Sequence, residues 1–347
     1  MSKLAVVLFN LGGPDSLEAV RPFLFNLFND PAIIGAPGLI RRALAWFIST
    51  RRAPVAREIY AKIGGRSPLL ALTRVQAEAL ETKLNGLGKD EVKTFIAMRY
   101  WHPMTEETVD DVLRWKPDQV VLLPLYPQYS TTTTGSSLEH WHRVAKAKGL
   151  SQATTAICCY PVDKGMIKAQ AGLLQKALKQ QQEEAPNQPL RVLFSAHGLP
   201  KKIIEKGDPY QFQVEMTAKA IVEALEPRIS DWKICYQSRV GPMEWIGPST
   251  EAEIHRAGTE GKGLVILPIA FVSEHSETLV ELDIEYAHLA KSANVPSYTR
   301  VPALGTSVDF IDGLSDLVLR TLVSKNNIFS GDGNKVCGNG FVRCAKK

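Results

Sequence analysis

Short runs of consecutive apolar residues recur along the chain, each followed by a longer stretch of helical character. They fall at 4–10 (LAVVLFN), 93–98, 119–125 (QVVLLPL), 154–159 (TTAICC), 191–195, 232–236 (WKICY), 264–271 (LVILPIAF) and 299–304. A strand that is apolar throughout is buried on both faces, and strands that alternate with helices pair in parallel. Eight such runs in 347 residues divide into two sheets of four. The pattern therefore predicts an α/β protein of two Rossmann-like domains with four-stranded parallel sheets and an active-site cleft between them. The expected boundaries are 1–155 for the first domain and 156–300 for the second. A helix over 301–325 is expected to return to the first domain, and a flexible tail to follow over 326–347.

The two halves echo one another. Val121-Leu122-Leu123-Pro124-Leu125-Tyr126 and Val265-Ile266-Leu267-Pro268-Ile269-Ala270 match in register, as Leu8-Phe9-Asn10-Leu11-Gly12 resembles Leu193-Phe194-Ser195-Ala196-His197-Gly198. Weak similarity at this separation suggests a duplicated α/β unit rather than a short-period repeat. In open parallel sheets the ligand lies beyond the carboxyl ends of the strands, so the residues directly after each run are the informative ones.

After the run 264–271 comes SEHSETLVELDIEY, in which Glu274, Glu277, Glu281 and Glu285 fall on one face of an α-helix. Like charges at i,i+4 destabilise a helix, and the segment itself holds no Lys or Arg to offset them. A solvated acidic face is the plain reading, and the helix dipole already favours acids in the first turn. The position at a strand end, with His275 among the carboxylates, points instead to a cation or proton path. His197 ends another run and is followed by Gly198 and Pro200, so a tight turn holds it at the same sheet edge. Imidazole opposite carboxylates can ligate a divalent ion such as Fe(II) or take a proton near neutral pH.

Residues 33–57 carry five arginines and no acid, interleaved with Leu39, Ile40, Leu44, Trp46, Phe47 and Ile48. A core helix with a basic face would look like this. So would an apolar lip for a large flat ligand bearing carboxylates, or for a membrane surface.

Composition narrows the classes. Net charge is +5 and 22% of residues are charged, which argues against disorder and gives no footing for nucleic acid. No run of eighteen apolar residues occurs, and the short apolar N-terminal run lacks a cleavage site, so a cytoplasmic protein is expected. Five cysteines, with Cys158 and Cys159 adjacent, do not form a disulfide framework. Gly12-Gly13-Pro14 fits neither G-x-G-x-x-G nor a phosphate-binding P-loop, so no nucleotide is expected.

Taken together, these residues resemble the ferrochelatase family, whose members insert Fe(2+) into protoporphyrin IX in the last step of haem synthesis. The likeness runs through LFNLGGP, RRAPVAREIYAKIGGRSPL, MRYWHP, LPLYPQYSTTTTGSS, FSAHGLP, YQSRVGPMEWIGPST and SEHSETLVELDIEY. It implies the chelatase-like fold and the activity of a lyase-type porphyrin metal chelatase. It gives His197 and Glu277 to iron and catalysis, and His275, Glu281 and Glu285 to an acidic track. Arg52, Tyr60, Ser67, Arg99, Tyr126 and Trp245 match porphyrin-binding positions. Protoporphyrin IX is the implied partner, with peripheral contact of residues 33–57 with the inner membrane. Some members hold a [2Fe-2S] cluster through a cysteine in the YPQYS loop and three near the C-terminus. Here that loop position is Thr131 and the tail offers only Cys337 and Cys344, so no cluster ligands are expected, since such a cluster takes four. The competing readings are a chelatase for another tetrapyrrole or metal, such as coproporphyrin or cobalt, and a haem or iron carrier without turnover. A carrier needs an axial ligand but no ladder of facing acids.

Overall fold

Each apolar run is a strand. The computed structural model describes residues 2–345 apart from 89, 240, 242, 325, 332, 334 and 335. The strands are β1 Lys3–Asn10, β2 Glu91–Met98, β3 Gln119–Pro124, β4 Ala153–Cys159, β5 Leu190–His197, β6 Trp232–Gln237, β7 Gly263–Pro268 and β8 Tyr298–Arg300. Seven consecutive residues of β1 and all of β7 are buried, which is why these strands read as unbroken apolar runs rather than as alternating ones. All ladders are parallel. With a ninth strand, β9 Ile328–Ser330, the sheets are β2-β1-β3-β4-β9 and β6-β5-β7-β8. Within each, the first four strands in chain order lie second, first, third, fourth, and this shared topology is the physical content of the sequence echo.

The first sheet has five strands where four were expected. The addition is β9, Ile328–Ser330, which pairs with β4. Part of the segment expected as a flexible tail is therefore sheet. Cys337 and Cys344, further along it, are 2% and 6% exposed.

The chain divides into two units. One comprises Met1–Tyr160, Leu314–Val336 and Ala345–Lys347; the other comprises Pro161–Gly313 and Cys337–Cys344. In the first, Trp141 sets its ring edge-on to Phe9 of β1 at 5.6 Å, under a core built from β1, β2 and β3. Its long helix Gly38–Ala61 buries only Ala45, Ser49, Ala53 and Tyr60, and leaves Leu39, Ile40, Leu44, Trp46 and Phe47 exposed. In the second unit Leu193, Cys235, Leu264 and Ile266 form the sheet side of the core, packed against Ile254, Leu282 and Tyr286.

Both β3 and β7 lead, through a loop, into a π-helix, Thr131–Gly135 after the former and Glu277–Glu285 after the latter. The i→i+5 pattern is rare and tends to occur where a function requires it.

Candidate active site

The second sheet changes winding direction between β5 and β7, with β6 on one side and β7 on the other. A ligand site is expected beyond the carboxyl ends of strands at such a point. His197 is the last residue of β5, and Glu277 opens the π-helix that follows β7. His197 Nδ1 lies 2.7 Å from Glu277 Oε2, with the imidazole 41% and the carboxylate 26% exposed. Expected from sequence as facing partners, the two are in direct contact.

The local backbone makes this possible. A Cβ at Gly198 would stand 2.9 Å from the Gln237 carbonyl oxygen and 3.3 Å from Trp245 Cε3. Only glycine lets the turn after His197 lie this close to the end of β6. Ser238, just past β6, has φ of 60°, a left-handed conformation costing about 1 kcal/mol for a residue with a side chain. It turns its N–H toward Glu281 Oε1, at 2.8 Å. The Ser238 hydroxyl contacts Glu277 Oε2 at 3.0 Å and also Glu281 Oε2. Gln237 Nε2 donates to Glu281 Oε2 at 3.1 Å, and the Ser195 hydroxyl donates to Gln237 Oε1, which fixes the amide's orientation. Neither Ser238 nor Gln237 was singled out from sequence. Both lie in YQSRVGPMEWIGPST, which entered only through the family likeness; its Val240 and Pro242 fall outside the described residues.

Burial pulls the His197 pKa down, but the charge and hydrogen bond of Glu277, with Glu281 behind, outweigh it and hold it above the usual histidine value. Burial pushes Glu277 up, and the His197 charge and bond overcome this, holding the carboxyl well below its usual range. Glu281 goes the other way, raised by burial and then by the Glu277 charge. Adjacent carboxylates in one small space cannot ionise equally well. Burial lowers His275, and the His197 charge adds to this against Glu277 and Glu274. The Glu277 N–H donates to His275 Nδ1 at 3.0 Å, so that nitrogen is an acceptor and the ring proton sits on Nε2.

The acidic run is not the single face of an α-helix expected from its spacing. The wider π-turn keeps Glu277 and Glu281, four apart, on the same Ser238, and Glu285 is exposed at its last position. Glu274 lies before the helix and belongs elsewhere. Arg300 Nη1 and the Ala303 N–H both donate to Glu274 Oε1, while the same guanidinium grips Asp283. The offsetting cation, missing from the segment itself, comes from β8.

Trp245 sits beside the His197 turn, its buried indole N–H making no hydrogen bond among the described residues. The other expected porphyrin positions belong to the first unit. Arg52 is exposed on Gly38–Ala61, its guanidinium 5.8 Å from the Phe28 ring centre. Tyr60 is buried near that helix's end, and the Ser67 hydroxyl accepts from the Leu69 N–H at the start of the next helix. Tyr126 packs on the core of the first sheet. Arg99 differs from an open polar contact: its guanidinium is held by Asp30 at 2.8 Å and the Ser136 hydroxyl at 2.7 Å. The buried Asp30 also accepts from Tyr100; nothing in the sequence marked it.

Among the described residues, no group of three or more His, Cys, Asp or Glu side chains is arranged to hold a metal. His197 and Glu277 form a pair rather than a cluster of three. The hydrogen bonds to that carboxylate from His197 and Ser238 both land on Oε2.

A family model described as Ferrochelatase matches residues 3–322. The chain is 55% identical over 343 residues to a ferrochelatase of Caulobacter vibrioides, covering 99% of this chain and 97% of the relative. It is 53% identical to one from Pelagibacter ubique, covering 92% and 91%, and 47% identical to one from Rickettsia bellii, covering 99% and 94%. Among solved structures, SirB from Bacillus subtilis with Fe3+ superimposes with a TM-score of 0.52 at 12% identity, covering 93% of this chain and 96% of that one. The sirohydrochlorin chelatase SirB from Bacillus subtilis subspecies spizizenii, in complex with cobalt, gives 0.51 at 11% identity, with 92% and 95% covered. These two show a shared chelatase fold.

Proposed function

The chain belongs to the ferrochelatase family, and from that premise we propose that His197 and Glu277 carry the insertion of Fe(2+) into protoporphyrin IX. The reaction forms protohaem, releases two protons and involves no electron transfer. The observation that carries the assignment is the 2.7 Å contact between His197 Nδ1 and Glu277 Oε2.

That contact divides the roles of the imidazole nitrogens. With Nδ1–H donated to Glu277, Nε2 is the basic nitrogen, and the ring is exposed enough to present it to a ligand. A carboxylate behind a histidine fixes its tautomer and stabilises the imidazolium that forms, as in the hydrolase triads. His197 Nε2 takes a pyrrole proton, and the Glu277 charge stabilises the product of that step. Glu277 Oε1 receives iron, a hard-to-borderline cation suited to carboxylate oxygen. Glu281, Glu285 and His275 line the way for ions or protons. The porphyrin lone pairs lie in the ring plane, so a site that fits a puckered ring favours the metallation transition state. Trp245 and the first-unit residues Arg52, Tyr60, Ser67, Arg99 and Tyr126 are proposed to bind that ring. The experiment is direct: purified protein, Fe(II) and protoporphyrin give the metalloporphyrin absorption spectrum, and His197→Ala does not.

No helix among the described residues is long and apolar enough to cross a membrane. The exposed Leu39, Ile40, Leu44, Trp46 and Phe47, with arginines between them, support peripheral contact of this helix with an anionic bilayer; flotation with anionic vesicles tests it. The expectation of no [2Fe-2S] cluster rests on Thr131 standing after YPQYS and on a tail that offers only Cys337 and Cys344. Equimolar iron and acid-labile sulfide in the purified protein would overturn it.

A further inference from the structure

The acidic site continues beyond Glu281. The Tyr286 hydroxyl lies 3.0 Å from Glu281 Oε1 and 2.8 Å from Glu251 Oε1. Tyr286 is buried in the second core, whereas Glu251, in the first turn of the helix Thr250–Thr259, is partly exposed. We infer that Tyr286 and Glu251 form a proton exit from the His197–Glu277 site to the surface of the second unit. The inference rests on the reading of that site proposed above.

Hydrogen-bond arithmetic carries it. A phenol has one proton and can donate to one oxygen at a time, while an ionised carboxylate only accepts. Burying the Tyr286 hydroxyl calls for one partner, yet two carboxyl groups converge on it. One proton serves one of these oxygens fully, and the second contact becomes a full hydrogen bond when its carboxyl group is protonated and donates to the phenol oxygen. The same holds for the Ser238 hydroxyl between Glu277 and Glu281. Glu277, Ser238, Glu281, Tyr286 and Glu251 thus alternate carboxyl and hydroxyl along one unbroken line. The helix dipole accounts for an acid in the first turn of Thr250–Thr259, but not for its turning toward Tyr286. Burial first, then the charges of Glu281 and Glu251, push the Tyr286 hydroxyl well above its usual range, so it passes protons as a neutral phenol.

The transfer balances. A proton leaving the His197 imidazolium crosses the short contact at Glu277 Oε2 in one concerted movement, Ser238 Oγ accepting it as the serine's own proton moves to Glu281 Oε2, so that Glu277 stays a carboxylate. Glu281 gives the proton it holds on Oε1 to the Tyr286 oxygen, as the Tyr286 proton moves to Glu251 Oε1 and then to water. One proton enters and one leaves; no bond between heavy atoms changes.

The test is steady-state iron insertion by the full chain and by Tyr286→Phe, Glu251→Gln and the double variant, at rising concentrations of a small buffer that does not ligate iron. Phe keeps the buried ring and Gln the shape of the acid. The expected result is a kcat about tenfold lower in each single variant, less than the roughly 100-fold or more of losing a general base outright because the proton still leaves by slower routes, with KM for both substrates unchanged. The double variant is no worse than either single one, and buffer restores the lost rate, which it would not do for a packing defect. Wild-type kcat in a single variant, losses that multiply in the double variant, or indifference to buffer would overturn the exit. A wild-type protein that inserts no iron would overturn the underlying reading as well.

Discussion

Glu274 and Glu277 stand three residues apart in one acidic run and serve unrelated purposes. Glu274 is closed by Arg300 and the Ala303 N–H, whereas Glu277 faces His197 at 2.7 Å. The first carboxylate anchors the loop that carries the second.

Arg300→Leu therefore unpairs Glu274 and Asp283 at once. The guanidinium is 12% exposed, and its partners are 22% and 34% exposed. With that partial screening, the expected loss is about 3 kcal/mol, at the low end for breaking a buried pair. Denaturant unfolding measures it, and a change under about 0.5 kcal/mol, the size of an ordinary surface substitution, would show that the pair does not hold the loop.

The pH dependence of insertion follows from the dyad. His197 accepts a proton only when neutral, and Glu277 holds its pKa above the usual value. The rate for free enzyme, kcat/KM, should rise with pH to a midpoint above about 6.5, the ordinary histidine value. Glu277→Gln removes the charge and leaves burial, so the midpoint should move down. A wild-type midpoint below the ordinary value, or an upward move in the variant, would count against His197 as the base. The same raised pKa stabilises the fold below about pH 6.5, and that contribution is lost as pH rises through the folded value.

Gly198→Ala puts a methyl group 2.9 Å from the Gln237 carbonyl oxygen and against Trp245. The expected cost is about 1–3 kcal/mol, the usual range for overpacking. Insertion should fall further than stability, because the displaced segments carry His197 and Ser238. Thermal melting and initial rates on one preparation separate the two, and a variant with full stability and full rate would refute the close approach.

The strands were legible because parallel strands covered on both faces are written as continuous apolar runs, with ends within a few residues of those found. β9 was not: three residues, Ile328-Phe329-Ser330, amid glycine and asparagine carry no periodic signal. The places of His197 and of the acidic run at one sheet edge were legible from the strands they follow, while the choice of Glu277 within that run came from the family likeness. The pitch of the acidic run was not, since the spacing i, i+4, i+8 suits a π-helix as well as an α-helix. Glu274's partner lies 26 residues further on, and only folding brings the two together. Ser238, Tyr286 and Asp30 are residue types found everywhere in proteins, and their roles come from φ of 60°, from burial and from what they touch.

The central claim is that the imidazole of His197, backed by Glu277, is what makes iron insertion possible rather than what binds the ring. The most direct measurement is Fe(II) insertion into protoporphyrin by His197→Ala, followed by absorbance, alongside porphyrin affinity from fluorescence quenching. The account predicts a rate lower by roughly 100-fold or more, the scale of a lost general base, with affinity close to that of the wild type. Insertion at the wild-type rate, or a loss explained wholly by weaker porphyrin binding, would contradict it.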